Sequence, residues 1–283
     1  MILVTGATGK SGSEIVKQLS EAGAPVRALV RNSQKAAGLS ALAGVEIVEG
    51  DLDKPDSLDA ALRGVERALL LSAAEPRSVE LQGNFIEAAR RAGLKHVVKF
   101  SGIGADENLP GGFLKWHGQI ERQLRESGIP HTNLRPNVFM QELLNSWGGQ
   151  RTIYLPLGDA KLSVVDIRDI AAVAVKTLTE DGHAGQSYVI TGPEALTLDE
   201  IAAKISTAIG EPVNYVSISF DDFRQSLAGM QLPEWLASAL VELYRTLATD
   251  GAQVTDVVAK VGKKQPINFD EFAREHGAKF KGE

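Results

Sequence analysis

The sequence predicts an α/β protein built on a doubly wound parallel sheet, with a smaller α/β lobe intertwined with it in the C-terminal half. Strand-like apolar runs alternate with helical patterns through the first half of the chain, and a glycine-rich turn joins the first run to the first helix. A length of 283 residues suits one large domain or one domain with a small lobe. Because crossovers between parallel strands are right-handed, such alternation covers both faces of the sheet with helices.

The elements of the first half follow from short apolar runs and periodic segments. We predict strands at 1–4, 26–30, 45–48, 67–71, 96–100 and 131–134. Helical patterns lie between them, at about 10–22, 33–42, 56–63, 78–92 and 113–127, and glycines suited to helix C-caps follow several of them. Residues 1–150 are therefore expected to form the first domain.

From about Thr152 the pattern is less regular. We predict a helix at 168–180 and a strand at 187–190 that rejoins the sheet. Further segments follow: a helix at 197–210, a strand at 213–218, and helical patterns around 221–229, 233–247 and 269–276. Residues 151–283 are thus expected to be a mixed region, in which one helix and one strand return to the first sheet and the remainder forms a small substrate lobe.

The composition indicates a globular protein and excludes several classes. Hydrophobic residues make up 43% of the chain and charged residues 23%. The net charge of −6 argues against a nucleic-acid partner, and the lack of cysteine excludes disulfides and thiolate chemistry. No apolar run approaches the ~20 residues of a membrane span, and a strand starting at residue 2 leaves no room for a signal peptide. We expect a cytoplasmic protein, monomeric or homodimeric, without a metal site.

The most informative motif is Thr5-Gly6-Ala7-Thr8-Gly9-Lys10-Ser11-Gly12. A strand precedes it and a helix follows it, which is the context in which such glycines form a dinucleotide-binding Rossmann turn. The first glycine allows the tight turn, the second lets backbone approach a pyrophosphate, and the third lets helix and strand pack closely. A Walker A loop is rejected because it needs a glycine where Val4 stands. We expect cofactor contacts from Gly6, Thr8, Gly9, Lys10, Ser11 and Gly12.

The G-x-x-G-x-x-G spacing resembles that of the extended and atypical short-chain dehydrogenases/reductases. Later segments resemble the NmrA-like branch, in particular its bacterial NAD(P)H:quinone reductases and triphenylmethane-dye reductases. These segments are Ser101-Gly102-Ile103-Gly104-Ala105, Lys115-Trp116-His117, Ser127-Gly128-Ile129-Pro130-His131-Thr132 and Leu134-Arg135-Pro136-Asn137. The resemblance covers most of the chain and is most specific up to about Asn137. It implies an oxidoreductase with a nicotinamide cofactor.

Arg31 at the end of the second strand predicts NADP(H) rather than NAD(H). An NAD enzyme places an acidic residue ~20 positions past the glycines, on the ribose hydroxyl, and none occurs between Ala22 and Lys35. A guanidinium can instead bind a 2′-phosphate through two hydrogen bonds. The alternative is a solvated loop arginine.

The remaining cofactor contacts rest largely on the resemblance, which puts Asp51 and Leu52 along the adenine. Asp51 could equally cap the segment that follows it. Small residues after the fourth strand would allow close backbone approach, and the fifth and sixth strands are expected to end beside the nicotinamide, although a proline turn can follow any strand. The expected residues are Ser72, Ala73, Ala74, Ser101, Gly102, Pro136, Asn137 and Val138.

The helix after the fifth strand lacks the Tyr-x-x-x-Lys pair of ordinary short-chain dehydrogenases, because all four tyrosines lie beyond it. Ser101, Lys115 and His117 remain as catalytic candidates, and His117 and Glu121, four apart, could hydrogen-bond. The resemblance implies that His117 faces the nicotinamide, where a protonated imidazole could supply a proton near neutral pH. The alternative is that His117 only satisfies a half-buried helix face.

The missing tyrosine favours a conjugated acceptor. Ketone reduction generates an alkoxide of conjugate-acid pKa ~15.7, whereas a quinone yields a phenolate-like oxygen near ~10. This lowers the demand on an acid catalyst by ~7–8 kcal/mol. We therefore expect an NADPH-dependent reductase of a quinone-like or conjugated aromatic acceptor. The rival is a non-catalytic, NADP-sensing regulator. A ring-binding wall could come from Phe113, Trp116, Phe139, Met140 and Trp147, although such residues are more often core.

Overall fold

The computed structural model describes residues 1–145 and 151–282. The first half contains β1 (Ile2–Val4), α1 (Lys10–Glu21), β2 (Val26–Val30), a 3-10 turn (Ser33–Ala36), α2 (Ala37–Ser40), β3 (Val45–Glu49), α3 (Pro55–Ala61), β4 (Arg67–Leu70), α4 (Ser78–Arg91), β5 (His96–Phe100), α5 (Gly112–Ser127) and β6 (His131–Pro136). The second half contains α6 (Met140–Asn145), β7 (Thr152–Leu155), α7 (Ile167–Thr179), β8 (Ser187–Ile190), α8 (Leu198–Ile209), β9 (Asn214–Ser217), α9 (Phe220–Gly229), α10 (Glu234–Asp250), α11 (Val257–Lys260), α12 (Phe269–Glu275) and α13 (Gly277–Lys281).

Seven of these strands form one parallel sheet in the order β3-β2-β1-β4-β5-β6-β8. The order reverses between β1 and β4, so a crevice opens there at the carboxyl ends of the strands. The predicted doubly wound parallel sheet is confirmed. The strand at 187–190 rejoins it beside β6, with Val189 opposite Arg135.

Successive side chains of each strand point to opposite faces of the sheet, where they pack against two layers of helices. In β1, Ile2 and Val4 pack with the cluster that includes α1 and α7, whereas Leu3 packs with the cluster that includes α3, α4 and α5. All three β1 side chains are buried, because helices cover both faces of a parallel sheet.

A third apolar cluster lies in the C-terminal lobe, where α8, α9, α10 and α12 pack around β7 and β9. The strand β7 was not predicted. It pairs in parallel with β9, so that Thr152 lies opposite Asn214, a partner far away in the sequence. The short helices α6, α11 and α13 were also missed. The division at residue 150 stays a prediction.

Candidate functional site

The glycine turn after β1 lies directly against the start of α1. Gly6 has a φ of +61°, and a Cβ there would lie 2.8 Å from the Leu71 carbonyl oxygen. A Cβ on Gly12 would lie 2.1 Å from the Gly6 carbonyl oxygen. Gly9 is the N-cap of α1, and no described side chain caps the first amides of the helix. These amides and the helix dipole therefore remain available for an anion.

Thr5 ties the turn to the neighbouring strand. Its hydroxyl donates to the Leu71 carbonyl oxygen at 2.6 Å and accepts from the Leu71 amide at 2.8 Å. The ends of β1 and β4 are thus held together at the reversal of strand order. This role of Thr5 was not predicted.

A cleft of about 790 Å³ opens above the turn, along the ends of β1 to β4. Ten of the predicted cofactor residues line it: Gly6, Thr8, Gly9, Lys10, Ser11, Arg31, Asp51, Leu52, Ser72 and Ala73. Gly12 is buried beneath the turn. The other predicted contacts lie outside the lining: Ala74, Ser101, Gly102, Pro136, Asn137 and Val138.

At one end of the cleft Arg31 is exposed, with no ion-pair or hydrogen-bond partner among the described residues. The sequence between Ala22 and Lys35 has no acid, but Glu49 of β3 reaches this region and accepts from the Ser33 amide at 3.0 Å. Hydrogen bonds from Ser33 lower the pKa of Glu49. This neighbouring carboxylate was missed because it comes from the adjacent strand, where it pairs with Val30.

The Asp51 carboxylate accepts from the Asp53 amide at 3.1 Å, within the turn before α3, whose N-cap residue Lys54 makes no side-chain capping bond. Asp51 also lines the cleft. An ion-pair cluster at the rim was missed. There Arg77 contacts Asp53 at 2.6 Å and Glu80 at 2.7 Å, which lowers the pKa of both carboxyls.

Ser101, directly after β5, belongs to a buried polar cluster centred on Glu121. Its hydroxyl donates to Glu121 Oε1 at 2.6 Å. Arg135 Nε donates to the same oxygen at 3.0 Å, and Arg135 Nη2 binds the second oxygen. Glu121 is therefore not available to His117, and the hydrogen bond expected between them is wrong.

His117 instead contacts Lys99, a residue that sequence reasoning missed. Lys99 Nζ lies 3.1 Å from His117 Nδ1 and also donates to the Phe100 carbonyl oxygen. Burial lowers the pKa of Lys99 to about 7, although Glu121 opposes the shift. Burial, and then the Lys99 charge, lower the pKa of His117 well below its ordinary value. The expectation of a protonated imidazole near neutral pH is therefore wrong.

Two other predicted segments are placed less centrally. Lys115 is half-buried on α5, without a side-chain partner in the described part of the chain. Asn137 is buried, and its amide donates to Ser163 Oγ at 2.7 Å and to the Gly251 carbonyl oxygen at 2.8 Å. Its carbonyl accepts from the Val138 amide. Any cofactor contact from this segment must come from its backbone or from Pro136 and Val138.

The aromatic wall is only partly formed by the predicted residues. Phe113 and Trp116 stack edge to face, with centroids 5.7 Å apart, and Trp116 also contacts Trp235 of α10 at 6.0 Å. Phe139 packs on Phe100. Met140 is fully buried and belongs to the core, and Trp147 lies outside the described residues.

Within residues 1–145 and 151–282, no helix is long and apolar enough to span a membrane. In the same residues no group of three or more histidine or carboxylate side chains could hold a metal ion.

Comparison with known proteins gives consistent results. A sequence profile of the NmrA-like family matches residues 1–273. The chain is 44% identical to NAD(P)H azoreductase of Xenophilus azovorans, over 99% of each chain. It is similar in structure to an NADPH-dependent quinone oxidoreductase of Escherichia coli in complex with NADPH, with a TM-score of 0.88 and 29% identity over 97% of this chain and 99% of the other. It also matches the Citrobacter sp. triphenylmethane reductase complexed with NADP(H), with a TM-score of 0.85 and 27% identity over 98% and 100% of the two chains.

Proposed function

The chain belongs to the NmrA-like family, and we propose that it is an NADPH-dependent reductase of quinone-like or conjugated aromatic acceptors, a class that includes azo and triphenylmethane dyes. The observation that carries this proposal is the cleft that leads from the unpaired Arg31 across the glycine turn to the end of β4. Ser101 follows β5, the next strand of the sheet, so the polar cluster lies at the same edge.

The residues of the cleft fit a dinucleotide phosphate. Cβ atoms at Gly6 or Gly12 would collide with backbone, and the uncapped amides of α1 point to an anion site. Arg31 would hold the 2′-phosphate and Asp51 with Leu52 the adenine. Ser72 and Ala73 would lie along the cofactor, and Ser101, Gly102 and the segment 136–138 would border its nicotinamide.

Bound NADPH supplies the hydride, and the chain's own residues orient the acceptor and supply a proton. The Ser101 hydroxyl donates its hydrogen bond to Glu121, so its oxygen is left as a hydrogen-bond acceptor. An ammonium on Lys99 can only donate, so it fixes the neutral His117 with its proton on Nε2. His117 is thus a hydrogen-bond donor at the reacting atom, and Lys115 is a further candidate on the same helix.

Steady-state NADPH oxidation tests the proposal. We expect turnover with 1,4-benzoquinone and none detectable with simple aliphatic ketones, because the quinone product needs ~7–8 kcal/mol less help from an acid. Equal turnover of a ketone would reveal another strong acid in the site. NADPH binding without turnover of any acceptor would favour a sensing regulator.

The proposal includes a cytoplasmic location, a monomeric or homodimeric state and no nucleic-acid partner. The net charge of −6 agrees with the last of these. Cell fractionation and light scattering of the purified protein would test the other two.

A further inference from the structure

Lys99 lies inside the central strand β5 and is fully buried. Lysine is rarely buried unless its charge is paired. Glu121, the carboxylate whose charge acts on Lys99, is already bonded by Ser101 and by Nε and Nη2 of Arg135. The described contacts of the Lys99 ammonium are instead a backbone carbonyl oxygen and His117 Nδ1. A buried cation held by a neutral ring is unusual for a purely structural lysine.

His117 connects Lys99 to the site. As a residue His117 is half-buried, whereas Lys99 has no exposed surface. The Cδ2 edge of the ring, next to Nε2, lies 3.6 Å from where a Cβ would stand on Gly102. Gly102 follows Ser101 at the carboxyl end of β5, so this edge of the ring faces the end of the sheet where the cleft opens. A proton leaving Lys99 toward the site therefore passes through the imidazole.

We propose that Lys99 is the proton source for reduction of neutral acceptors and that His117 relays its proton. This inference rests on the proposed function. A quinone that becomes a hydroquinone gains one hydride, from NADPH, and one proton. His117 Nε2–H gives the proton to the acceptor oxygen while Lys99 Nζ–H gives a proton to Nδ1. Lys99 ends as a neutral amine and His117 as the other neutral tautomer. Water then reprotonates Nε2 as Nδ1 returns its proton to Lys99.

The charges around the pair agree with this division of roles. The pKa of His117 is too low for the ring to hold an extra proton at neutral pH, whereas that of Lys99, about 7, suits an acid at that pH. The charge that opposes the lowering of the Lys99 pKa is that of Glu121, and Glu121 is itself ion-paired with Arg135.

The test compares two acceptors that differ in their need for a proton. Benzoquinone needs a hydride and a proton, whereas crystal violet, a cationic triphenylmethane dye, becomes neutral on gaining a hydride alone. We expect Lys99→Met to lower kcat with benzoquinone by ~10²-fold and to change crystal violet reduction by less than about threefold. Lys95→Met is the matched control, because Lys95 is exposed and pairs with Glu66 on the surface. It should leave both rates unchanged.

A second measurement needs no variant. In the wild type, kcat with benzoquinone should fall as pH rises through about 7, where Lys99 loses its proton, and kcat with crystal violet should not. Equal losses on both acceptors in Lys99→Met, or the same pH limb for both acceptors in the wild type, would overturn the relay alone. A wild type that reduces neither acceptor would overturn the proposed function, and the relay with it.

Discussion

The cofactor end of the site, at the ends of β1 to β4, is formed mainly by backbone, whereas the acceptor end, between β5, α5 and β6, is formed by buried charged side chains. At the cofactor end, glycines and helix amides shape the cleft, and its charged side chains are exposed or half-buried. At the acceptor end, Lys99 and Glu121 are buried and bonded to residues from other elements. The cofactor end therefore depends on the space that its glycines leave free, whereas the acceptor end depends on the balance of its buried charges.

If this difference holds, loss of the Glu121 carboxylate at the acceptor end is the most damaging single change. Glu121→Leu leaves Arg135 without its counter-charge, and we expect the free energy of unfolding to fall by about 3 kcal/mol. This value is at the low end of the range for breaking a buried ion pair, because the Arg135 side chain is 28% exposed. Urea unfolding measures it. The control is Asp53→Asn, which breaks an exposed ion pair at the cofactor rim and should leave the Tm unchanged. Similar losses in both variants would contradict the comparison.

At the cofactor end, we expect both stability and cofactor binding to be sensitive to a methyl group added within the glycine turn. Gly12→Ala places a Cβ 2.1 Å from a carbonyl oxygen, so the turn and α1 must move apart. We expect a loss of about 2–3 kcal/mol in stability and at least tenfold weaker NADPH binding. Gly38→Ala is the control, because the Cβ would meet open space in α2. Thermal melts and cofactor fluorescence titration give the two values. Unchanged binding in Gly12→Ala would show that the turn is not the phosphate site.

His117→Ala should affect chemistry but not cofactor binding. Without the ring, the Lys99 proton has no route to the acceptor, so kcat/KM for benzoquinone should fall by ~10²-fold. NADPH affinity should stay within about twofold. A lower Tm with unchanged turnover would instead make His117 a packing residue, and Ser101 and Lys115 would become the leading candidates.

Arg31→Ala should change cofactor preference alone. A charge-assisted contact of ~1.5–3 kcal/mol supports at least a tenfold preference for NADPH over NADH, and the substitution should remove most of it. Fluorescence titration with both cofactors measures the ratio. Arg90→Ala, on the outer part of α4 beside Glu87, serves as the control. Equal wild-type affinities for both cofactors would overturn the assignment of Arg31 to the 2′-phosphate.

The smallest effect concerns stability against pH. Burial lowers the pKa of Lys99 from 10.5 to about 7, so between these values the unfolded chain holds a proton that the folded protein lacks. The contribution of this group to stability therefore rises as pH increases through that window. Lys99→Met should have a higher Tm than the wild type near pH 7, and the difference should shrink toward pH 10. A constant difference would show that the folded protein keeps the Lys99 proton across this window, so that the pKa of Lys99 is not lowered.

The difference between the cofactor end and the acceptor end also explains which features could be predicted from the sequence. The cofactor end lies in contiguous motifs, so the glycine turn, Arg31 and Asp51 could be placed on the cleft, and the sheet followed from strand–helix alternation. The acceptor end depends on contacts across elements. Lys99 sits in an apolar strand pattern, where nothing in the spacing shows that its ammonium is buried beside His117. Likewise, Glu121 was assigned to His117 by helical spacing, although Arg135 of β6 provides the stronger partner.

The late position of β8 in the chain affects how the protein is made. β6 ends at Pro136, and the strand that covers its outer edge, β8, spans Ser187–Ile190. At a synthesis rate of about 5–20 residues per second, the backbone donors and acceptors of that edge stay unpaired for roughly 3–10 s. An open strand edge is a template for pairing with other chains. The nascent protein should therefore be most prone to aggregation in this interval, and a chain truncated before Ser187 should need a chaperone to stay in solution.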